Sequence, residues 1–409
     1  IPVQGMRNAP HLDFAGEVRK LTGMPTFHAA KIPDIATARH AITEGHVDLI
    51  GMTRAHMADP HLVAKLTRGH EDRIRPCVGL GYCVDRVNQG KAAVCGHNAA
   101  TGREATMPHV IPKANVVRTV VIVGGGPGGL EAARICSERG HKVVLFEASD
   151  RLGGQLKLAN AGMTRRQIRG VADWLINDIT RLGVDVRLNT YAETKEIIDE
   201  APDVVIIATG GWPADAIVQG GDLAISSWDV LSGQARLIGD ILLFDESGDH
   251  AAFVCAGVMA RADCTVHHIT PDRVTAHDLG PTNAAVVLRD LAGLGVTFEC
   301  FQDIEHIAQS GNRKEVTLRH VLTGELSVRV VDHVVTERGV APMDAIYHDL
   351  KPYSRNLGQA DQAALVEARN PLFATQATGT FFLARLGDAI AGRNIHAALY
   401  DALRICKDI

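Results

Sequence analysis

An α/β fold built on parallel sheets is what this sequence predicts, and three observations predict it. Short apolar runs of strand length alternate with amphipathic stretches of helix length. A glycine loop at 124–129 lies between one such run and a helix. Glycine supplies 40 of the 409 residues while aromatic residues make up 4%, a balance that argues against an all-β sandwich and fits a nucleotide-binding protein. The 46% hydrophobic content is ample for real cores and excludes a disordered or collagen-like chain. At one domain per ~150 residues, the length suggests two to four domains. A net charge of -5 with no long basic stretch argues against nucleic acid as a partner. No apolar run approaches the ~20 residues that a bilayer span needs, and no signal peptide is visible at the start. The chain begins Ile1-Pro2-Val3-Gln4, which reads as a processed chain or a fragment.

The elements follow in order. Residues 13–21 read as a helix, 24–30 as a short strand, and 34–44 as a helix capped by Asp34. Residues 47–52 read as a second, buried strand and 60–68 as the next helix. The stretch 74–107 has no clear period and reads as loop, with prolines at 108 and 112 marking a linker. After it come a strand (116–123), the glycine loop, a helix (130–140) ended by Gly140, and a strand (142–147). A helix at 166–182 and a buried strand at 204–208 complete that block. A second block has a strand at 237–244, a helix at 251–261, a strand at 265–269 and a helix at 283–293. Residues 315–331 alternate as a hairpin does; 381–388 return to a strand followed by Gly-Asp, and 396–405 form a terminal helix.

The strongest local signal is Gly124-Gly125-Gly126-Pro127-Gly128-Gly129, a G-x-G-x-x-G between strand and helix. Gly124 permits the tight turn, Gly126 lets the backbone approach a pyrophosphate, and Gly129 lets helix and strand pack closely. The helix N-terminus, entered through Pro127 and Gly128, presents N–H groups to phosphate. Glu147, about 20 residues on, stands where an acid binds ribose hydroxyls. Thr209-Gly210 after a buried strand and Gly387-Asp388 before a helix fit the same nucleotide site, and Gly154-Gln155 could approach a flavin ring. For Asp388 an ordinary helix cap is the alternative. The second block lacks its glycine loop: Asp245-Glu246-Ser247-Gly248-Asp249-His250 puts three acids where a pyrophosphate would lie. A second dinucleotide such as NADPH is therefore not expected there.

Of eight cysteines, Cys77, Cys83 and Cys95 share one segment, and the other five are scattered. That is a ligand pattern more than a disulfide framework, and it suggests a reducing, cytoplasmic setting. Three thiolates suit an iron–sulfur cluster or a soft metal. A zinc site, with His97 as a nearby fourth ligand, and three buried structural cysteines are the alternatives. Gly51-Met52-Thr53-Arg54 ends a parallel strand, where α/β barrels bind phosphate. Its amides and the Arg54 guanidinium would suit an FMN phosphate, with Lys31 at the end of the preceding strand; surface charges on loops are the alternative.

This order of parts resembles the trimethylamine dehydrogenase and 2,4-dienoyl-CoA reductase family, old-yellow-enzyme-like flavin oxidoreductases, over essentially all 409 residues. Three pieces look most like the dimethylglycine and N-methylproline demethylase branch: Arg75-Pro76-Cys77-Val78-Gly79 with Tyr82-Cys83-Val84-Asp85-Arg86, the run 97–104, and the run 393–402. The resemblance implies the C-terminal part of a TIM-type barrel (residues 1–73), an iron–sulfur segment with linker (74–115), and nested Rossmann domains of glutathione-reductase type. These are an ADP- or FAD-binding domain (116–235 and 345–409) and a degenerate second domain (236–344). It implies FMN at Lys31, Gly51, Thr53 and Arg54, three of four cluster ligands at Cys77, Cys83 and Cys95, and FAD or ADP at Gly124, Gly126, Gly129 and Glu147. Leu80 stands where the family has its second cysteine, so the cluster could be four-iron with a non-cysteine ligand or three-iron.

The implied activity is oxidative demethylation of a small N-methylated amine or amino acid. Electrons would pass from FMN through the cluster to an electron-transfer flavoprotein or a separate iron–sulfur protein. Two βα units cannot close an eight-stranded barrel. The working protein is therefore expected to be longer or completed by another chain, as a homo-oligomer or complex, and no residue here is assigned as catalytic acid or base. Alternatives are an NADPH-dependent enoate or dienoyl-CoA reductase and a non-catalytic ADP-binding electron-transfer subunit.

Overall fold

The computed structural model describes residue 2 and residues 4–409, the side chains of residues 163 and 164 apart. The chain divides into two compact units. One comprises Ile1–Leu156, Gln167–Gly211 and Pro342–Ile409, and the other Lys157–Arg166 and Trp212–Ala341.

The first unit opens with helix Leu12–Thr22, strand Phe27–His28, helix Ile35–Thr43, strand Leu49–Ile50 and helices Thr53–Ala58 and Leu62–Thr67. Asp34 caps its helix as expected, accepting from the Thr37 amide at 2.7 Å. The two strands pair in parallel, Phe27 with Leu49 and His28 with Ile50. They are shorter than the sequence suggests, and the second is not buried: Leu49 is 59% exposed. An apolar side chain on a two-stranded ribbon has no second layer to cover it. Within the segment expected to be loop, Tyr82–Asn88 forms a helix entered from Gly81 at φ 80.

The core of this unit is a five-stranded parallel sheet in the order Phe382–Arg385, Val204–Ile207, Thr119–Val123, Lys142–Phe146, Asp185–Arg187. Val204–Ile207 and the first four residues after Thr119 are buried on both faces, which is why they read as continuous apolar runs. Helix Pro127–Glu138 starts three residues earlier than predicted because Pro127 is tolerated at its first position. The helix is closed by Gly140 at φ 96. Terminal helix Ile395–Cys406 and helix Arg169–Arg181 pack against it.

The second unit repeats the plan, with a parallel sheet in the order Thr297–Glu299, Thr265–Ile269, Asp240–Asp245, His333–Glu337, Ile225–Ser226. Strand Ile225–Ser226 belongs to this sheet, so the unit begins ahead of residue 236. The predicted hairpin is real, Arg313–His320 against Leu326–Val331, and Gln302–Ser310 adds a third antiparallel strand. No helix among the described residues is long and apolar enough to cross a membrane.

Candidate functional site

In the first unit the glycine loop leaves the central strand at the point where neighbours diverge, Lys142–Phe146 to one side and Val204–Ile207 to the other. In open parallel sheets that is where ligands bind. Each glycine has its own reason. A Cβ at Gly124 would lie 2.3 Å from the Ala208 carbonyl oxygen, and one at Gly129 would lie 1.9 Å from that of Gly124. A Cβ at Gly126 would meet nothing within 4 Å. The first two are fixed by packing. At Gly126 the space in front of the backbone is left open, as a nucleotide phosphate requires.

Glu147 turns back onto this loop, accepting from the Gly125 amide at 2.7 Å and from the Ser149 amide and hydroxyl at 2.8 and 2.7 Å. Gly154 (φ 52) sits against Gly126, its Cβ position 2.9 Å from the Gly126 Cα. Gln155 donates to Asp388 at 3.3 Å and lies beside Gly210. Burial pushes the Asp388 carboxyl up, while the Arg393 amide donates to it at 3.1 Å. The structure thus brings Gly124–Gly129, Glu147, Gly154, Gln155, Gly210 and Asp388 together at the C-terminal edge of one sheet. Thr209 differs, because its hydroxyl donates to the Met343 carbonyl. Gly387 (φ 62) donates from its amide to buried Asp401, which also pairs with Arg393 and Arg404. This brace was not read from the sequence.

The three cysteines line one pocket of about 350 Å³ including its mouth, together with Arg54, Met57, Leu80 and His97. Burial pushes the Cys95 thiol up to about 11 and raises Cys83 as well, so the thiolate form needs a cationic partner. The His97 amide donates to the Cys95 Sγ at 3.4 Å. Among the described residues no group of three or more His, Cys, Asp or Glu side chains is arranged to hold a single metal ion. An iron–sulfur cluster places each ligand on a different iron and suits three thiols spread around one pocket. Cys77, Cys83 and Cys95 would hold it, and Leu80, on the same wall, offers no donor. His97 is held by its Nδ1 to the Pro76 carbonyl at 3.0 Å and edge-on to Trp174, while its Nε2 has no partner among the described residues. Burial, then Arg75, pushes it down to about 3.

The pocket is tied to the nucleotide helix. Arg75 donates to the His97 carbonyl at 3.0 Å and reaches Glu131 at 3.4 Å. Burial opposes the Glu131 charge, but Arg134 and Arg75 overcome it and hold the carboxyl down to about 2. Trp174 covers the Arg75 guanidinium at 4.2 Å. At the barrel-like end, Gly51 is required because a Cβ would lie 2.6 Å from that of Ala29, and Thr53 opens an exposed helical turn. Lys31 is 7% exposed and donates from Nζ to the Met6 carbonyl, and Arg54 contributes to the cysteine pocket.

The second unit's loop is filled by the chain itself. Asp245 is fully buried; it accepts from the Ser247 and Gly248 amides at 3.0 and 2.9 Å and meets the His268 Nε2 at 3.0 Å. Glu246 pairs with Arg338 at 2.9 Å, and Asp249 caps helix His250–Ala260. Beside them burial pushes Glu337 up to about 7, with the Ser227 hydroxyl and Gly339 amide donating to it. The acids are not a bare repulsive patch, as the sequence suggested: Asp245 and Asp249 accept from loop amides, and Glu246 is paired with Arg338.

Comparison with known proteins agrees with this layout. The chain is 49% identical over 410 residues to a probable N-methylproline demethylase of Rhizobium meliloti, covering all of this chain and 60% of that protein. It is 42% identical over 422 residues to the N,N-dimethylglycine/sarcosine dehydrogenase of Chromohalobacter salexigens, covering all of this chain and 61% of that one. The solved structure of a 2-naphthoyl-CoA reductase with 2-naphthoyl-CoA matches with a TM-score of 0.85 at 25% identity, over 99% of this chain and 57% of that one. The chain thus spans about three-fifths of the length of the relatives it matches. Residues 90–203 and 118–363, together more than half of the chain, match the model for pyridine nucleotide-disulphide oxidoreductases. These matches bear out the resemblance read from the sequence, and the chain belongs to the pyridine nucleotide-disulphide oxidoreductase family.

Proposed function

We propose that this chain is the nucleotide-binding and electron-relay part of a flavin- and iron–sulfur-dependent amine oxidoreductase that removes an N-methyl group from a small amine or amino acid of the N-methylproline or dimethylglycine type. The observation that carries the reading is the convergence of Cys77, Cys83 and Cys95 on one pocket, in the same unit as the open glycine loop. In the net reaction an N-methyl amine and water give the demethylated amine and formaldehyde, with two protons and two electrons released. Bound FMN would supply the two-electron acceptor, and a bound iron–sulfur cluster the one-electron outlet.

The residues of this chain have defined tasks in that scheme. Gly51, Thr53, Lys31 and Arg54 hold the FMN phosphate end, as at a barrel strand terminus. The three cysteines ligate the cluster. Gly124, Gly126, Pro127, Gly128, Gly129 and Glu147 hold an adenine nucleotide, FAD or ADP, with Gly154, Gln155, Gly210, Gly387 and Asp388 closing over it. The acceptor is an electron-transfer flavoprotein or an iron–sulfur protein. Catalytic acid and base groups are expected in barrel strands outside residues 1–73.

The test is an anaerobic titration of the full-length protein, following flavin absorbance. Bleaching by N-methylproline or N,N-dimethylglycine without NADPH is the expected result. Bleaching by NADPH and not by either amine would overturn the reading in favour of an enoate reductase. Bound nucleotide and iron with no bleaching by either would leave only an electron-transfer subunit.

A further inference from the structure

We infer that Tyr82, Tyr400 and the arginines that cover them form the docking face for the electron acceptor, an acidic protein, beside the cysteine pocket. The inference rests on the cluster reading proposed above. Three rings pack in series at this place: the Tyr82 and His396 centroids are 5.0 Å apart, and His396 lies near-parallel to Tyr400 at 6.2 Å. The series starts at the pocket. Tyr82 lines it next to Cys83, and His396 holds the Cys95 carbonyl through Nδ1 at 2.9 Å. Tyr82 and Tyr400 are half-buried, and neither hydroxyl has a hydrogen-bond partner in the chain among the described residues. Water or a partner must satisfy them.

The charge that covers these rings is positive. The Arg103 guanidinium carbon lies over the Tyr400 ring at 4.4 Å, that of Arg404 over the same ring at 5.1 Å, and that of Arg86 over Tyr82 at 5.8 Å. Arg86 and Arg103 donate to the Ala92 and Ala99 carbonyls and meet no carboxylate among the described residues. Arg404 and Arg393 share the buried carboxylate of Asp401. Of the acids next to Arg86 and Arg103 in sequence, Asp85 is buried and Glu104 pairs with His109. Tyrosine and arginine are the residues that anchor protein interfaces, and an arginine stacked on a ring is fixed before a partner arrives. Guanidinium groups without a carboxylate select an acidic face and speed its approach. The chain as a whole carries a net charge of -5, so for an acidic partner this patch stands out against a repelling background.

The test uses the full-length holoenzyme, reduced with dithionite and freed of the excess. It is mixed with one of two oxidised probes, plastocyanin, an acidic copper protein, or cytochrome c, a basic haem protein. Each probe metal gains one electron and the group held by the cysteines loses one; no proton moves. Raising salt from ~0.02 to ~0.2 M is expected to slow plastocyanin reduction about tenfold, because the attraction is screened. Arg86→Gln combined with Arg404→Gln is expected to slow plastocyanin about tenfold at low salt and to leave cytochrome c as fast or faster. Iron is counted in the variant, and if it falls, the salt dependence of the wild type decides alone. A plastocyanin rate that is indifferent to salt or rises with it overturns the docking face. So does a double variant with full iron that slows both probes alike, or an iron-loaded wild type that reduces neither. A wild-type protein devoid of iron would instead overturn the cluster reading itself, and the amine titration above tests the demethylase reading separately.

Discussion

The imidazole of His396 bridges two parts of the chain 301 residues apart: its Nδ1 lies 2.9 Å from the Cys95 carbonyl oxygen, and its Nε2 lies 3.2 Å from Arg103. Arg103 can only donate, so the ring is neutral with its proton on Nδ1. The first turn of the terminal helix, directly after the Asp388 loop, thereby fixes the backbone of a cysteine in the pocket. Replacement of His396 by alanine leaves the Cys95 carbonyl unpaired in a buried place, and a loss of about 1–3 kcal/mol is expected. Denaturant unfolding measures it, and iron content should fall with it; unchanged stability and iron would show that the bridge is dispensable.

The buried histidines give the protein a defined acid sensitivity. Burial, then nearby arginines, pushes His97 down to about 3 and His396 to about 4, below the ordinary 6.5. Between those values the unfolded chain binds protons that the folded chain does not, so their stabilisation is complete above about pH 6.5 and is lost as pH falls toward 4. At pH 5 each accounts for roughly 2 kcal/mol. Urea midpoints at pH 7.5 and 5 should differ accordingly, and His97→Gln together with His396→Gln should flatten the profile.

Two glycine substitutions separate packing from binding. Gly129→Ala drives a methyl to 1.9 Å from a backbone oxygen and should abolish folding of the first unit. Gly126→Ala meets no protein atom and keeps an extended backbone, so its melting temperature should match the wild type when nucleotide is stripped from both. Its bound adenine nucleotide, counted after denaturation, should drop at least tenfold. Equal retention of nucleotide would remove Gly126 from the site.

The pairing of Glu131 with Arg75 and Arg134 is a buried charge network; removing Glu131 strands Arg75 and leaves Arg134 with Glu138 alone. Glu131→Gln is expected to cost about 3–5 kcal/mol. A double variant with Arg75→Met should recover part of that loss, as equilibrium unfolding would report.

Leu80→Cys supplies a fourth thiol to the pocket wall. The expected outcome is a cluster that keeps four irons on exposure to air, against three expected for the wild type. Iron and sulfide analysis with the oxidised electron paramagnetic resonance signal decides it.

What could be read from the sequence is what local chemistry determines. The Asp34 cap, the glycine loop and the doubly buried strands each depend on residues within a few positions, and each is where the pattern put it. Strand Gln302–Ser310 was missed because its pairing shifts between Ile304 and His306, which breaks the period of two. Strand His333–Glu337 was not read at all: it lies one residue beyond Leu326–Val331 yet serves a different sheet. The Arg75–Glu131, His396–Cys95 and Asp401–Arg393 contacts join positions that only the folded chain brings together. No periodicity announces such pairs.

The self-filled loop at Asp245 ties three neighbours to one carboxylate. A carboxylate from the chain holds the Ser247 and Gly248 amides and anchors His268 from a place with no solvent. A change at Asp245 therefore acts at three places at once: it frees the Ser247 and Gly248 amides and strips buried His268 of its acid, so this loop changes as a unit or not at all.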